Sequence, residues 1–260
     1  MPFELSTTIA GRGPLARPEI ERIAHAGFLT IDLSLPSVGL DPAGDGWIAG
    51  VRQSAAAVGL EIGGLCVGWA LRSGALERAG SIGAKRVTLI ADACRAHGSN
   101  PGTPPDPDKV GRALDALALE ASQRGLALAV EFPRAFAPGT VVDLIDAIEG
   151  GPVGVCLDVG HANLGGDAPE AIEQLSGYVT VVHLHDNQGR DDSHRAPYSG
   201  SVDWPLTLMA LWKTGFTGPS VIETMPDPDL ATSLTRAVGA RTRLQAILDD
   251  LAQPMVFPEA

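Results

Sequence analysis

Val155-Cys156-Leu157-Asp158-Val159-Gly160-His161 is an apolar run that closes on a carboxylate, a glycine and an imidazole. The same construction recurs in Ala129-Val130-Glu131, in Val181-Val182-His183-Leu184-His185-Asp186 and in Val221-Ile222-Glu223. Each run is short and rich in Val, Ile and Leu, which suits a strand buried on both faces of a sheet. Packing alone does not account for an ionisable side chain at the end of four successive buried strands. An unpaired buried charge is costly, so four together require a shared cation or a wet cavity. A single divalent metal would satisfy all of them at once, which points to a metal-dependent enzyme site.

Outward from these segments the chain alternates short β-type runs with longer helical ones. Strands are expected over residues 3–7, 30–34, 60–67 and 86–90 and at the four segments above. Helices are expected over 15–26, 47–58, 71–82, 109–124, 141–148, 168–175, 206–213 and 230–251. Gly27, Gly59 and Gly83 stand just beyond helical stretches, where a left-handed cap is common. Eight β–α units predict a single-domain (β/α)8 barrel over 1–260, with its chemistry at the C-terminal ends of the strands. The rival is an open doubly wound sheet, but no GxGxxG or P-loop follows the first strand.

Composition narrows the function. Of 260 residues, 45% are hydrophobic, enough for one large core, and 31 acidic against 19 basic residues give a formal charge of −12. That balance argues against nucleic acid or an anionic membrane as a partner. No apolar run approaches the ~20 residues of a membrane helix, and no signal peptide is recognisable. Cys66, Cys94 and Cys156 form no CxxC pair, so free thiols and a reducing cytoplasm are expected. Nothing in these features opposes a homo-oligomer.

Each candidate has a bland reading. Glu131 could be a solvated rim residue, and Asp158 and His161 could belong to a helix cap beside a tight turn at Gly160. His183 and His185 are two apart, so on a strand they share one face while Leu184 points the other way. Carboxylate oxygens with imidazole nitrogen and no cysteine suit Mn²⁺, Mg²⁺ or Co²⁺, with Zn²⁺ also compatible.

Taken together, these residues resemble the xylose-isomerase-like superfamily of sugar-phosphate isomerases and epimerases, which includes the apurinic-site endonucleases. Leu157-Asp158-Val159-Gly160-His161 looks like its LDxxH segment. His183-Leu184-His185-Asp186-Asn187, Asp192-Ser193-His194, Gly200 and Val202-Asp203-Trp204 look like its HxHDN…DxH…G…DW stretch, and residues 215–223 like its GYxG…E ending. The resemblance implies a barrel holding one divalent metal through Glu131, Asp158, His183 and Glu223, with His161 contacting substrate. The endonuclease branch carries two further histidines after earlier strands; Val67-Gly68-Trp69 and Ile90-Ala91-Asp92 have none.

The expectation is therefore an isomerase or epimerase of a small sugar or ketose, working through a metal-stabilised enediolate, with Glu131 and Glu223 as proton donor and acceptor. His161, His185, Arg190 and His194 are the expected substrate-side residues, with Arg190 standing where the family has a substrate-binding Arg. His194, with Asp192, is expected to face the site from a loop that folds over the mouth. The alternatives are an inosose-type dehydratase, a multi-zinc phosphodiester hydrolase and a sugar-binding barrel without turnover. Specificity is expected in the loops 34–46 and 91–108, which lack a phosphate cradle and so favour an unphosphorylated substrate.

Overall fold

The computed structural model describes residues 5–9, 15–35, 46–69, 72–91, 106–134, 136–224 and 229–253. The strands are β1 (Leu5–Ile9), β2 (Thr30–Leu35), β3 (Glu61–Gly68), β4 (Arg86–Ile90), β5 (Ala127–Glu131), β6 (Val153–Asp158), β7 (Val179–Leu184) and β8 (Ser220–Thr224). All neighbouring pairs are parallel, and β1 pairs with β8, so the sheet closes into a barrel in sequence order. This is the (β/α)8 barrel expected above, and closure excludes the open doubly wound sheet. The helices are α1 (Arg17–His25), α2 (Gly46–Ala57), α3 (Ala75–Ile82), α4 (Pro107–Arg124), α5 (Pro138–Asp146), α6 (Val159–Gly165), α7 (Ala168–Gln174), α8 (Trp204–Lys213) and α9 (Leu230–Leu251). The beginning of the first expected strand, most of the loops 34–46 and 91–108, and Cys94 lie outside the described residues.

Side-chain alternation along the strands sorts the core into two compartments. Outward-facing residues such as Val87, Leu89, Val130, Leu157, Val182 and Ile222 join the helices in one large apolar cluster. The inward-facing Ala129, Cys156, Val181 and Val221 form a separate small cluster inside the barrel. Helix ends follow the chemistry of their terminal residues. Asp106, Asp158, Asp167, Asp203 and Asp229 each accept a backbone N–H as the N-cap of α4, α6, α7, α8 and α9. Gly83 and Gly125 close α3 and α4 with φ of 80° and 66°, a conformation in which a side chain is strained.

One helix departs from the sequence expectation. The stretch after Asp158 is not a tight turn but the first turn of α6, a seven-residue helix too short to show a periodic pattern. Gly160 has a steric role instead: a Cβ at that position would overlap the His185 ring.

Candidate active site

Two residues beyond each member of the small inner cluster stands an ionisable residue on the same inner face: Glu131 above Ala129, Asp158 above Cys156, His183 above Val181 and Glu223 above Val221. The barrel thus stacks an ionisable layer directly on an apolar one. All four residues are buried. Register pairs Asp158 directly with His183, whereas His183 pairs with Val221, two residues before Glu223.

His183 lies between two carboxylates, its Nδ1 3.1 Å from Glu131 Oε2 and 3.4 Å from Glu223 Oε2. Asp158 Oδ1 accepts the backbone N–H of His161 at 2.7 Å, so the helix-cap reading of this residue is correct for one oxygen. Its other oxygen, Oδ2, is buried without a hydrogen-bond partner among the described residues, as is His183 Nε2. His185 Nε2 sits 2.7 Å from Asp158 Oδ1, but off the hydrogen-bonding direction. His161 spans the cluster: Nδ1 is 3.2 Å from Glu131 Oε1, and Nε2 is 3.0 Å from Asp192 Oδ2.

His194 stacks on His185 with ring centroids 4.0 Å apart. Its Nε2 is 3.4 Å from Asp192 Oδ1 and its Nδ1 3.7 Å from Glu223 Oε2. It therefore faces the cluster, at a backbone φ of 41° that is uncommon for a side-chain-bearing residue. Its segment is tied to the rim by Asp186, whose N–H donates to Arg195 O at 2.7 Å and whose carbonyl accepts from Arg195 N at 2.9 Å. Asp186 Oδ2 also accepts from Trp204 Nε1, and Asn187 Nδ2 donates to Gly160 O. Asp186 and Asn187, at the start of that loop, are fully buried anchors. Arg190 is exposed and has none of the cluster's contacts.

Within this cluster of carboxylates and imidazoles, neighbouring charges override the effect of burial. Burial alone would depress His161, but Asp158, Asp192 and Glu131 overcome it and push its pKa up to about 12. Burial likewise opposes charge on His194, yet Asp192 and Glu223 raise it to about 9. Burial would raise Glu131 and Asp158, but the surrounding imidazoles hold both below the ordinary carboxylate range. Cys156 lies beneath the layer, within ligand distance of Glu131 and His183, and burial pushes its thiol up to about 11.

Ligand-capable atoms converge in several overlapping sets. Those of Glu131, Asp158 and His161 lie within 4.8 Å of one another, as do those of Asp158, His185 and Glu223 and those of Glu131, Cys156 and His183. A further set joins His161, His185, Asp192 and His194.

A model of the xylose isomerase-like TIM barrel family matches residues 20–245. The rhizopine catabolism protein MocC of Rhizobium meliloti is 31% identical over 152 residues, covering 49% of this chain and 45% of that protein. An uncharacterized protein of Methanocaldococcus jannaschii is 32% identical over 89 residues, covering 33% of this chain and 30% of that protein. The matches span less than half the length of these curated relatives. L-ribulose 3-epimerase shares the fold with a TM-score of 0.77 and 19% identity, covering 98% of this chain and 100% of that one. A xylose isomerase domain protein from Planctomyces limnophilus superposes with a TM-score of 0.76 and 17% identity, covering 97% and 99%. D-psicose 3-epimerase, solved in the presence of D-fructose, gives 0.72 and 16%, covering 95% and 99%. With the family pattern running through all but the ends of the closed barrel, the chain belongs to the xylose isomerase-like TIM barrel family.

Proposed function

We propose that this barrel is a divalent-metal-dependent isomerase or epimerase of a small sugar or related ketose. The observation that supports it most directly is the single inward layer of Glu131, Asp158, His183 and Glu223 at the C-terminal ends of four successive strands. These residues fit a divalent cation: carboxylate oxygens and an imidazole are the right donors, and Asp158 Oδ2 is a buried acceptor with nothing to accept. Glu131, Asp158, His183 and Glu223 would hold the ion. When bound, it would supply positive charge against the two adjacent oxygens of a hydroxy-ketone, making the C–H between them more acidic.

The remaining chemistry falls to the chain itself. Glu131 and Glu223 approach His183 from β5 and β8, so carboxylates flank the layer from two directions. One can take a proton from a substrate carbon while the other returns one, which epimerisation requires. His161, with one nitrogen on Glu131 and the other on Asp192, is held at the edge of the layer, where a substrate oxygen can replace one of these carboxylates as its partner. The epimerases that share the fold support this reading through their names, and their substrates are sugars.

The test is exchange. Metal-loaded protein is incubated in D₂O with free and phosphorylated ketoses and with inososes, and deuterium is followed by NMR. Uptake at a carbon beside a carbonyl is the expected result, whereas loss of water from an inosose identifies the dehydratase alternative. No exchange with any member overturns proton transfer. Glu131→Gln and Glu223→Gln should each slow exchange about 10²-fold or more; a barrel that only binds sugar would change in affinity alone.

A further inference from the structure

We infer that the substrate carries an apolar substituent, an aryl or short alkyl group, seated in a second compartment beside the ionisable layer. This inference rests on the proton-transfer reading above and specifies its substrate class.

The compartment is a cavity of about 320 Å³ that begins at Glu131, Asp158 and His161 and runs outward between α5 and the pair α6–α7. Strand pairing explains its opening. The β5–β6 ladder ends at Val130–Val155, and β6 shifts register on β7 between Val155 and Cys156. Above that point Glu131 and residues 156–158 are not paired with each other, so the inner layer communicates with the space behind the sheet.

The walls differ from the reacting end. Phe132, Phe136, Val141, Leu157, Ala162 and Leu175 line the cavity, the two phenylalanine rings 6.3 Å apart between centroids. The carboxylates at its outer part are already engaged: Asp167 caps α7 and Glu170 accepts the amide of Gln174. Arg134, itself exposed, also lines it, as do the polar groups of Gln174 and Glu170. Between the phenylalanine rings and the aliphatic side chains a polyhydroxylated chain would lose water for few partners, whereas an apolar group fits that stretch without such a cost. The volume is ample, since a dry apolar cavity of ~150 Å³ holds a benzene ring. Continuity with Glu131, Asp158 and His161 makes the occupant part of the reacting molecule: one polar ketose end at the layer, one apolar end behind it.

Methyl NMR on the metal-loaded protein, titrated with benzyl alcohol, tests the compartment independently of turnover. Saturable shifts of the Val141, Ala162 and Ala171 methyls are expected, and Ala171→Phe, which fills the cavity, should weaken binding tenfold or more. Shifts elsewhere, no shifts, or equal binding to Ala171→Phe overturn the proposal. If Ala171→Phe does not fold, Leu175→Ala enlarges the same space and must improve binding of 2-naphthylmethanol relative to benzyl alcohol; no improvement overturns it. For turnover, a benzyl-substituted ketose should exceed the free ketose at least tenfold in kcat/KM, and equal values overturn the substrate class. Benzyl alcohol bound here with no deuterium exchange on any ketose would overturn the chemistry and leave the compartment standing. Exchange without aryl binding would do the reverse.

Discussion

The two ends of the barrel interior handle buried charge in opposite ways. At the N-terminal end, Asp32 of β2 and Arg86 of β4 face each other across β3, and Arg86 Nη2 donates to both carboxylate oxygens at 2.6 and 2.7 Å. Gly63 and Gly64 make this possible, because a Cβ on either would strike the pair or its neighbour Thr30. One cation meets one anion, with Arg86 Nε left without a hydrogen-bond partner among the described residues. At the C-terminal end, four carboxylates meet four imidazoles with orphaned buried atoms among them. The floor balances its charge without a guest, whereas the mouth gathers carboxylates whose charge calls for protons on neighbouring imidazoles such as His161 and His194 or for an added cation. A self-balanced buried pair belongs to the scaffold; a cluster that needs an added ion or proton belongs to chemistry.

The sharpest way to break that contrast is Asp32→Ala. It strands a buried guanidinium, so the expected loss of stability is about 3–5 kcal/mol in urea denaturation. Metal content per folded chain should be untouched. A loss well under 1 kcal/mol would mean that the floor pair is not structural. The mouth should respond in reverse. Asp158→Ala should cost about 1 kcal/mol through the lost cap of α6, and it and His183→Ala should each abolish the single divalent ion found by elemental analysis. An absence of metal in protein never exposed to chelator would count against the whole mouth assignment. Two or three ions would recruit His161, Asp192 and His194 and revive the multi-zinc hydrolase alternative.

A pH series on metal-free protein is a subtler probe. His161 and His194 have folded pKa values of about 12 and 9, above the ~6.5 of an unfolded histidine. Their contribution to stability is complete below about pH 6.5 and fades as pH rises through the folded values. The depressed carboxylates Glu131, Asp158 and Asp192 contribute above their unfolded values near pH 4 and lose that contribution as pH falls. Metal-free Tm should therefore fall between pH 6.5 and 9 as His194 deprotonates. With Mn²⁺ present, the ion supplies the charge and the fall should shrink. A flat metal-free profile would contradict the protonated cluster.

The same contrast explains what was legible in the chain. Glu131, Asp158, His183 and Glu223 announce themselves because each closes a local apolar run, a pattern readable within seven residues. Strand order follows from the count of β–α units. The floor pair is silent, because Asp32 and Arg86 lie 54 residues apart and meet only through a register that no local pattern reveals. The anchoring role of Asp186 and Asn187 was illegible for a related reason: their partners Gly160, Arg195 and Trp204 come from three separate places in the chain. Helix α6 was missed because seven residues with glycine near each end show no amphipathic period.

The smallest expected effect belongs to His194, which touches the mouth from a segment pinned by Asp186. A freely opening lid is hard to reconcile with that anchoring, since swinging the segment away breaks both Asp186–Arg195 backbone bonds and unstacks His185. Its expected contribution is positional: with Asp192 it borders the side of the layer where His161 and Glu223 stand. His194→Ala removes the ring but leaves Glu131, Asp158, His183 and Glu223 in place. Metal content should stay at one ion per chain, and exchange should slow by about tenfold, less than the ~10²-fold expected for either glutamate. Unchanged exchange would reduce His194 to a packing residue against His185. Loss of the ion would make it a ligand and move the border between mouth and metal site outward to residue 194.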